Sequence, residues 1–219
     1  MAARSIGSGT VSFGLVAIPV KVYVATHSES LSFNMLHEPC GSRVKQQLFC
    51  PQCERVIERR EIVKGYQFER DRYVTFRDDE LKALEAEANR SIEIQEFVPL
   101  GSVDPLYFEG ANYLGPDKGA EKAYSLLVEA MRETGRVAIA QHTSHGKEHV
   151  VLIRPVENGL VMHTLFYANE VRAIGEIGSD GAVKTKEGEV ELARKLIAQL
   201  SVETFDPSGF RDAYRERVE

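Results

Sequence analysis

A histidine and three cysteines lie within 17 positions near the start of the chain, in the stretch HEPCGSRVKQQLFCPQC. His37 and Cys40 are three positions apart, as are Cys50 and Cys53, and a basic, polar segment separates the two pairs. Structural zinc takes four nitrogen or sulfur ligands in a tetrahedron, and two short turns with two ligands each can supply them. Four protein ligands leave no open position for water, so the spacing predicts a structural zinc site.

Two other interpretations of this stretch stay open at the level of sequence. The stretch is also consistent with three reduced cysteines and a surface histidine, as the vacant remnant of a metal site, or with a redox pair. The chain has three cysteines in all, an odd number crowded together, which is a poor basis for a disulfide framework. A reducing cytoplasm with thiolates bound to metal explains them better.

A second cluster of possible ligands, HGKEH at residues 145–149, matches the H-x-x-E-H motif of zinc proteases. That motif needs a helix, whereas a glycine interrupts this one and the following VVLIRP favours a strand. We therefore interpret the segment as a hairpin tip, where Lys147 is a candidate for phosphate contact. The alternative is a metallohydrolase that uses His145, Glu148 and His149. Because the sequence has no phosphate-binding glycine loop and no G-x-S-x-G motif, binding is a better default than catalysis.

The net charge of −6 is unevenly distributed along the chain. Residues 1–75 carry 10 Lys and Arg against 7 Asp and Glu, whereas residues 76–135 carry 6 against 13. An acidic protein can thus still present a mildly basic surface, so net charge alone does not exclude a nucleic-acid partner. No apolar run approaches the roughly 20 residues that cross a bilayer. The N-terminal segment also lacks the apolar region of a signal peptide, so we expect no membrane partner.

The elements that position these residues are mainly strands. Alternating or Val-rich patterns predict strands within 10–25, 56–76 and 91–100, and in RVAIAQH, HVVLIRP and GLVMHTLFY. Helical spacing predicts helices at 78–89, at about 119–134 before Gly135, and at 187–200. The aromatic segment DPLYFEGANYLGPDKG is expected to be a loop, and its first part, DPLYFEGANYL, is expected to make arm or dimer contacts. The final FRDAYRERVE keeps helical spacing to the last residue, which predicts a helix that is cut short there.

Five segments in this order together resemble bacterial Ku, the family of DNA-end-binding proteins of non-homologous end joining. They are SIGSGTVSFGLVAIPVKVY, SLSFNMLHEPCGSRVKQ, EIVKGYQFERDRYV, IEIQEFVPLGSVDPLYFEGANYL and GAEKAYSLLVEAMRETGRVAIA with the later GKEHVVLIRP. The resemblance covers about residues 4–205 and implies a mixed, mainly β fold. In it, residues 1–186 form a Ku-like β-barrel core with a long arm or bridge, including the zinc-binding module at 37–53. Residues 187–219 form a C-terminal helical segment, and the often Lys-rich segment that usually follows in the family is expected to be missing.

The resemblance also implies a function without enzymatic activity. Two chains would form a homodimer whose arms close a ring around double-stranded DNA, and the ring would thread onto DNA ends independent of sequence. It would recruit the ATP-dependent DNA ligase of bacterial end joining in the repair of double-strand breaks, in the cytoplasm and associated with the nucleoid. The alternative function is a zinc-ribbon adaptor that binds protein partners without DNA.

A ring that slides along DNA must contact phosphate and sugar rather than base edges, so its contacts should come from lysine and arginine. Local basicity outside the acidic segments selects eight candidates for DNA binding: Arg4, Lys21, Arg43, Lys45, Lys64, Arg136, Lys147 and Arg154. Such contacts predict binding that weakens steeply with salt, because each phosphate contact releases counterions.

Overall fold

The computed structural model describes residues 3–27, 31–81, 91–144, 147–177 and 185–218. Two compact units make up the chain. One comprises Met1–Glu29 and Asn34–Val171, and the other comprises Ser30–Phe33 and Arg172–Glu219.

The first unit contains eleven described strands and one described helix of more than one turn. The strands are β1 (Gly7–Phe13), β2 (Val16–Val24), β3 (Leu48–Cys50), β4 (Arg55–Ile57), β5 (Lys64–Glu69), β6 (Arg72–Phe76), β7 (Ser91–Pro99), β8 (Phe108–Pro116), β9 (Arg136–Ser144), β10 (Lys147–Val156) and β11 (Gly159–Leu165). Helix α1 spans Glu121–Thr134, and short 3-10 turns lie at Arg59–Glu61, Leu100–Ser102 and Pro105–Tyr107. Residues 78–81 are also helical, and the rest of the helix expected at 78–89 lies outside the described residues.

Seven of these strands close a barrel in the order β1-β2-β8-β11-β10-β9-β7. Neighbouring strands are antiparallel except at the closure, where β1 and β7 run parallel. Gly14 has a φ of +55° in the two-residue turn that joins β1 to β2, where the left-handed backbone favours glycine. The predicted fold class is confirmed, since the chain is mainly β with a barrel core and a few helices.

Alternation along the strands places the core inside the barrel. Val11, Ile18, Ile92 and Ile153 are fully buried there, and one face of helix α1 packs against the same cluster. Because apolar burial is the main favourable term in folding, this continuous core holds the barrel and helix together as one body.

A smaller apolar cluster lies outside this core. Val137, Leu152 and Leu165 pack there with Tyr107, the last residue of the connection between β7 and β8, and with Phe108, the first residue of β8. Leu152 is fully buried although its neighbours on β10 belong to the inner cluster, so β10 is covered on both faces. We call this second set of side chains the outer cluster.

The expectation that DPLYFEGANYLGPDKG is a loop was wrong. Most of the segment is β8, which lies between β2 and β11 in the barrel. Its glycines conceal the strand pattern, and close packing favours glycine at one of these positions. A Cβ atom at Gly115 would lie 3.1 Å from the ring of Tyr23 on the neighbouring strand, so the close approach of the two strands favours glycine.

The second unit is largely helical. Helix α2 spans Glu187–Leu200, as predicted, and helix α3 spans Ala213–Val218, which is shorter than its sequence pattern. The apolar residues of α2 are uncovered in the single chain, with Leu192, Ile197 and Leu200 all exposed. Among the described helices, none is long and apolar enough to span a membrane.

Candidate functional site

Residues 34–78, here called the arm, leave the barrel after β2 and carry the histidine and the three cysteines. His37 and Cys40 lie in a tight turn that is closed by a bridge between Leu36 and Arg43. The N–H of His37 donates to the carbonyl of Ser42 at 2.8 Å, and the N–H of Gly41 donates to the carbonyl of His37 at 2.8 Å. Gly41 has a φ of +66°, which is the reason for a glycine directly after Cys40.

Within this first turn the two predicted ligands are neighbours. The Nδ1 atom of His37 is 3.1 Å from the Sγ atom of Cys40. Hydrogen bonds from Ser42 and then from His37 lower the pKa of the Cys40 thiol to about 7. A thiol with a lowered pKa loses its proton more readily, which is the form in which cysteine binds metals.

The second turn joins β3 to β4 and carries Cys50 and Cys53. Hydrogen bonds from the backbone and then the side chain of Cys53 lower the pKa of the Cys50 thiol. The bond between the two side chains raises the pKa of the Cys53 thiol. Glu54, with a φ of +49°, follows Cys53 in the turn. Arg55 on β4 forms an ion pair with Glu61 at 2.5 Å, which ties the turn to the following 3-10 segment.

The donor chemistry of the two turns fits zinc, since each offers two nitrogen or sulfur atoms next to each other. In the part of the chain that the structure describes, no three histidine, cysteine or acidic residues gather around one point that could hold a metal ion. The structure thus forms each half of the predicted ligand set separately. The quartet of His37, Cys40, Cys50 and Cys53 stays a prediction.

The rest of the arm is a two-stranded ribbon with aromatic side chains on its surface. Strands β5 and β6 pair antiparallel, and Tyr66 lies opposite Val74 with 66% of its surface exposed. Arg72 lies over the ring of Phe68 at 5.0 Å from the ring centre. Sequence reasoning missed this cation–π contact, although pairing of the two strands about their turn would have indicated it.

The eight basic candidates fall into three groups along the fold rather than into one cluster. Arg43, Lys45 and Lys64 belong to the arm, and Arg136 and Arg154 lie on β9 and β10. The other three, Arg4, Lys21 and Lys147, lie near one end of the barrel. Lys21 lines a cavity of about 1100 Å³ there, together with Ser5, which follows Arg4, and Ser144, which pairs with Lys147.

Two of the eight are already bound to carboxylates. The Nζ atom of Lys21 is 3.1 Å from an oxygen of Asp117, and that of Lys64 is 3.6 Å from an oxygen of Asp78. The bond to Asp117 raises the pKa of Lys21, and hydrogen bonds from Lys118 and then Lys21 lower the pKa of Asp117. A phosphate would have to compete with these carboxylates for the two ammonium groups.

The other candidates form no ion pair with any residue that the structure describes. Arg136 donates to the carbonyl of Phe97 at 3.5 Å, and Arg154 donates through Nε to Nε2 of His163 at 3.0 Å. Arg4, Arg43, Lys45 and Lys147 are exposed. These six therefore keep a positive charge that a phosphate group could approach.

The HGKEH segment has the structure expected of a hairpin. Ser144 at the end of β9 pairs with Lys147 at the start of β10, and Glu148 and His149 lie on that strand. His145 lies outside the described residues. Because the metalloprotease motif requires its glutamate and last histidine on a helix, the strand conformation excludes that arrangement for Glu148 and His149.

Comparison with known proteins agrees with this architecture. A family model described as Ku, the Ku70/Ku80 beta-barrel domain, matches residues 12–192. The non-homologous end joining protein Ku of Symbiobacterium thermophilum is 45% identical over 218 residues, which are 99% of this chain and 54% of the relative. That of Paraburkholderia phymatum is 45% identical over 219 residues, 100% of this chain and 71% of the relative.

A similar match extends to an archaeon. The non-homologous end joining protein Ku of Archaeoglobus fulgidus is 39% identical over 216 residues, 98% of this chain and 85% of the relative. The chain thus spans about half the length of the relative from Symbiobacterium and larger shares of the other two. The family model covers the whole barrel apart from the first residues of β1. On the strength of the closed barrel and these matches, the chain belongs to the Ku family.

Proposed function

We propose that this chain forms a homodimeric ring that binds the ends of double-stranded DNA independent of sequence in non-homologous end joining. The observation that carries the proposal is the exposed arm. Its two ribbons, β3–β4 and β5–β6, bury almost none of their side chains against the described part of the chain.

Exposed ribbons of this kind need a covering partner. A two-stranded ribbon is at best marginally stable by itself in water, and exposed aromatic side chains mark interaction surfaces. Phe49 and Val56 are opposite each other on β3 and β4, and both are more than half exposed. A second copy of the chain and a DNA duplex would together cover the exposed apolar and basic side chains of the arm.

The charges of the arm and barrel support contact with DNA backbone rather than with bases. Arg43 and Lys45 are exposed next to the first cysteine turn and have no carboxylate partner among the described residues. Lysine and arginine held in this way can neutralise phosphates, which gives binding that is independent of sequence and sensitive to salt.

In this proposal the chain holds DNA ends and does no chemistry itself. Recruitment of an ATP-dependent DNA ligase, and a cytoplasmic location associated with the nucleoid, belong to the same proposal. The relatives are named non-homologous end joining protein Ku, and that name supports a role in end joining. The ligase and the location are what the family resemblance implies. The structural zinc ion is a further part of it: His37, Cys40, Cys50 and Cys53 would hold the ion, which would cross-link the two turns of the arm.

The test compares one plasmid in linear and in covalently closed form, in a mobility-shift titration at about 100 mM salt. A threading ring binds the linear form and loses that binding when hairpins or bulky caps block both ends. Equal binding to both forms would indicate a surface patch instead of a ring. Failure to bind either form would favour a zinc-ribbon adaptor that binds proteins.

Light scattering on the same preparation measures the oligomeric state. The proposal expects the mass of two chains at micromolar concentration. A matched variant with Phe49 and Tyr66 replaced by serine should shift the mass toward one chain, because it removes exposed apolar surface from both ribbons. A dimer of undiminished stability in that variant would show that the arm does not form the interface.

A further inference from the structure

Arg154 and His163 form a contact on the outer face of the barrel that the proposed function leaves unexplained. Arg154 lies on β10 and His163 on the neighbouring β11, where His163 is the register partner of Leu152. We propose that Arg154 binds a DNA phosphate through the far edge of its guanidinium group and that His163 is the residue that positions it. This inference rests on the proposed DNA binding and adds a specific residue pair to it.

The contact fixes which edge of the guanidinium group is used. The Nε–H of Arg154 donates to Nε2 of His163 at 3.0 Å, and its two Nη groups have no partner among the residues that the structure describes. A guanidinium group binds phosphate or carboxylate best through two parallel N–H groups, in a geometry that lysine does not reproduce. The bond to histidine therefore presents Arg154 in an orientation suited to an anion.

The histidine can accept this bond only in its neutral form. Burial lowers the pKa of His163, and the charge of Arg154 lowers it further. Nε2 then carries a lone pair at neutral pH, and the proton of the neutral ring is on Nδ1. Because its partner is neutral, Arg154 keeps its full positive charge, whereas Lys21 and Lys64 share theirs with carboxylates.

The ring of His163 is itself held in place by the outer cluster. The ring of Phe108 meets it edge to face, with 5.0 Å between ring centres and 83° between planes. Phe108 packs in turn against the cluster of Val137, Leu152 and Leu165. An arginine that is already oriented loses less conformational freedom when a ligand binds. The orientation of Arg154 by His163 should therefore increase the affinity of the protein for DNA.

The experiment is a double-mutant cycle read by binding to linear duplex over a series of salt concentrations. R154Q should lower the slope of log K against log salt by about 0.9, as expected for one lost phosphate contact. H163F keeps a ring against Phe108 but removes the acceptor, and it should weaken binding roughly threefold to tenfold. H163Q, whose amide oxygen can accept from Arg154, should recover most of that loss.

The coupling between the two residues distinguishes positioning from a general structural role. H163F should have little effect in the R154Q background, since the group that it orients is gone. Equal weakening in both backgrounds, or wild-type binding by H163F, would overturn the inference. R132Q serves as the matched control, because Arg132 is an exposed arginine on helix α1 and should leave the slope unchanged.

Two further outcomes separate this inference from the proposed function. If wild-type protein fails to bind linear duplex, the proposed function fails and the inference with it. If wild-type protein binds and only the coupling is missing, the inference alone is wrong. Should H163F not fold by circular dichroism, R154K replaces it. R154K keeps the charge, but an ammonium group has no planar pair of N–H groups to offer a phosphate while it is held by His163, so wild-type affinity for R154K would also overturn the inference.

Discussion

The hydroxyl group of Tyr124 on helix α1 accepts a hydrogen bond from the backbone N–H of Leu160 at 2.8 Å. The same hydroxyl donates to the carbonyl of Leu114. Leu114 on β8 and Leu160 on β11 are register partners, so one phenol connects the helix to two adjacent strands of the barrel. Burial raises the pKa of Tyr124, which keeps the hydroxyl protonated and able to donate.

Tyr124→Phe is therefore expected to destabilise the barrel by about 1–3 kcal/mol, because it leaves a buried N–H and a buried carbonyl without their partner. Urea unfolding followed by circular dichroism measures the change. Tyr113→Phe is the matched control, since Tyr113 on β8 is 49% exposed and its loss of a hydroxyl should have almost no effect. Equal stability of the two variants would show that the phenol bonds contribute nothing.

Gly135 ends helix α1 with a φ of +63°, and its N–H donates to the carbonyl of Arg132 at 3.3 Å. Gly135→Ala should cost about 1–2 kcal/mol, because a side chain is strained in the left-handed region. Asparagine should cost less, since it tolerates that region. Gly110→Ala is the control: its Cβ would meet no atom within 4 Å and its φ is not positive, so that variant should be neutral or slightly stabilising.

Much of this fold could be predicted from sequence because its elements have strong local patterns. Helix α1 before Gly135, helix α2 and the strands of RVAIAQH and HVVLIRP all followed from spacing alone. Strand β8 did not, because its glycines and polar residues serve contacts with neighbouring strands, such as the approach of Tyr23 to Gly115. That preference for glycine arises only once the barrel is closed, and no local sequence pattern indicates it.

The candidate site was predictable in kind but not in arrangement. Residue type and spacing selected the cysteine turns, and local basicity selected Arg154, which lies on a strand as expected. The partners of the charged groups could not be predicted, since Asp117 is far from Lys21 in sequence and they meet only through the pairing of β2 with β8. The contact between Arg154 and His163 likewise depends on the register of two strands.

The stability of the barrel should fall as the pH is lowered below about 6.5, the usual pKa of histidine. Burial is the main cause that lowers the pKa of His142 in the folded protein, with His149 lowering it further and the Ser91 carbonyl opposing. The unfolded state then binds more protons, so the stabilising contribution is complete above the unfolded pKa and is lost as pH falls through the folded one.

His142→Gln and His163→Gln together should flatten this dependence, because the pKa of His163 is lowered as well. Urea unfolding at a series of pH values from 5 to 8 gives the slopes for the wild type and the double variant. Near pH 8 the slope of stability against pH should be similar in the wild type and the double variant, because both histidines are neutral in the folded and the unfolded state there. An unchanged slope in the double variant would assign the pH dependence to other groups.

The arm offers the most direct test of the zinc prediction. Protein purified without chelators should carry about one zinc ion per chain if His37, Cys40, Cys50 and Cys53 form one site. Cys50→Ser should remove most of the metal and make the arm more sensitive to proteolysis, because the ion would be the cross-link between two ribbons that bury little else. Emission spectrometry and limited trypsin digestion measure the two effects.

His149→Ala is the matched control, because it removes a histidine of the HGKEH segment and should leave the zinc content unchanged. If His149→Ala lost the metal while Cys50→Ser kept it in full, the zinc site would be assigned to the end of the barrel near His149 instead of to the arm. Less than about 0.2 zinc per chain in the wild type would show that the quartet is not an occupied site. The functional arm would then contain two separate pairs, His37 with Cys40 and Cys50 with Cys53, and no metal ion between them.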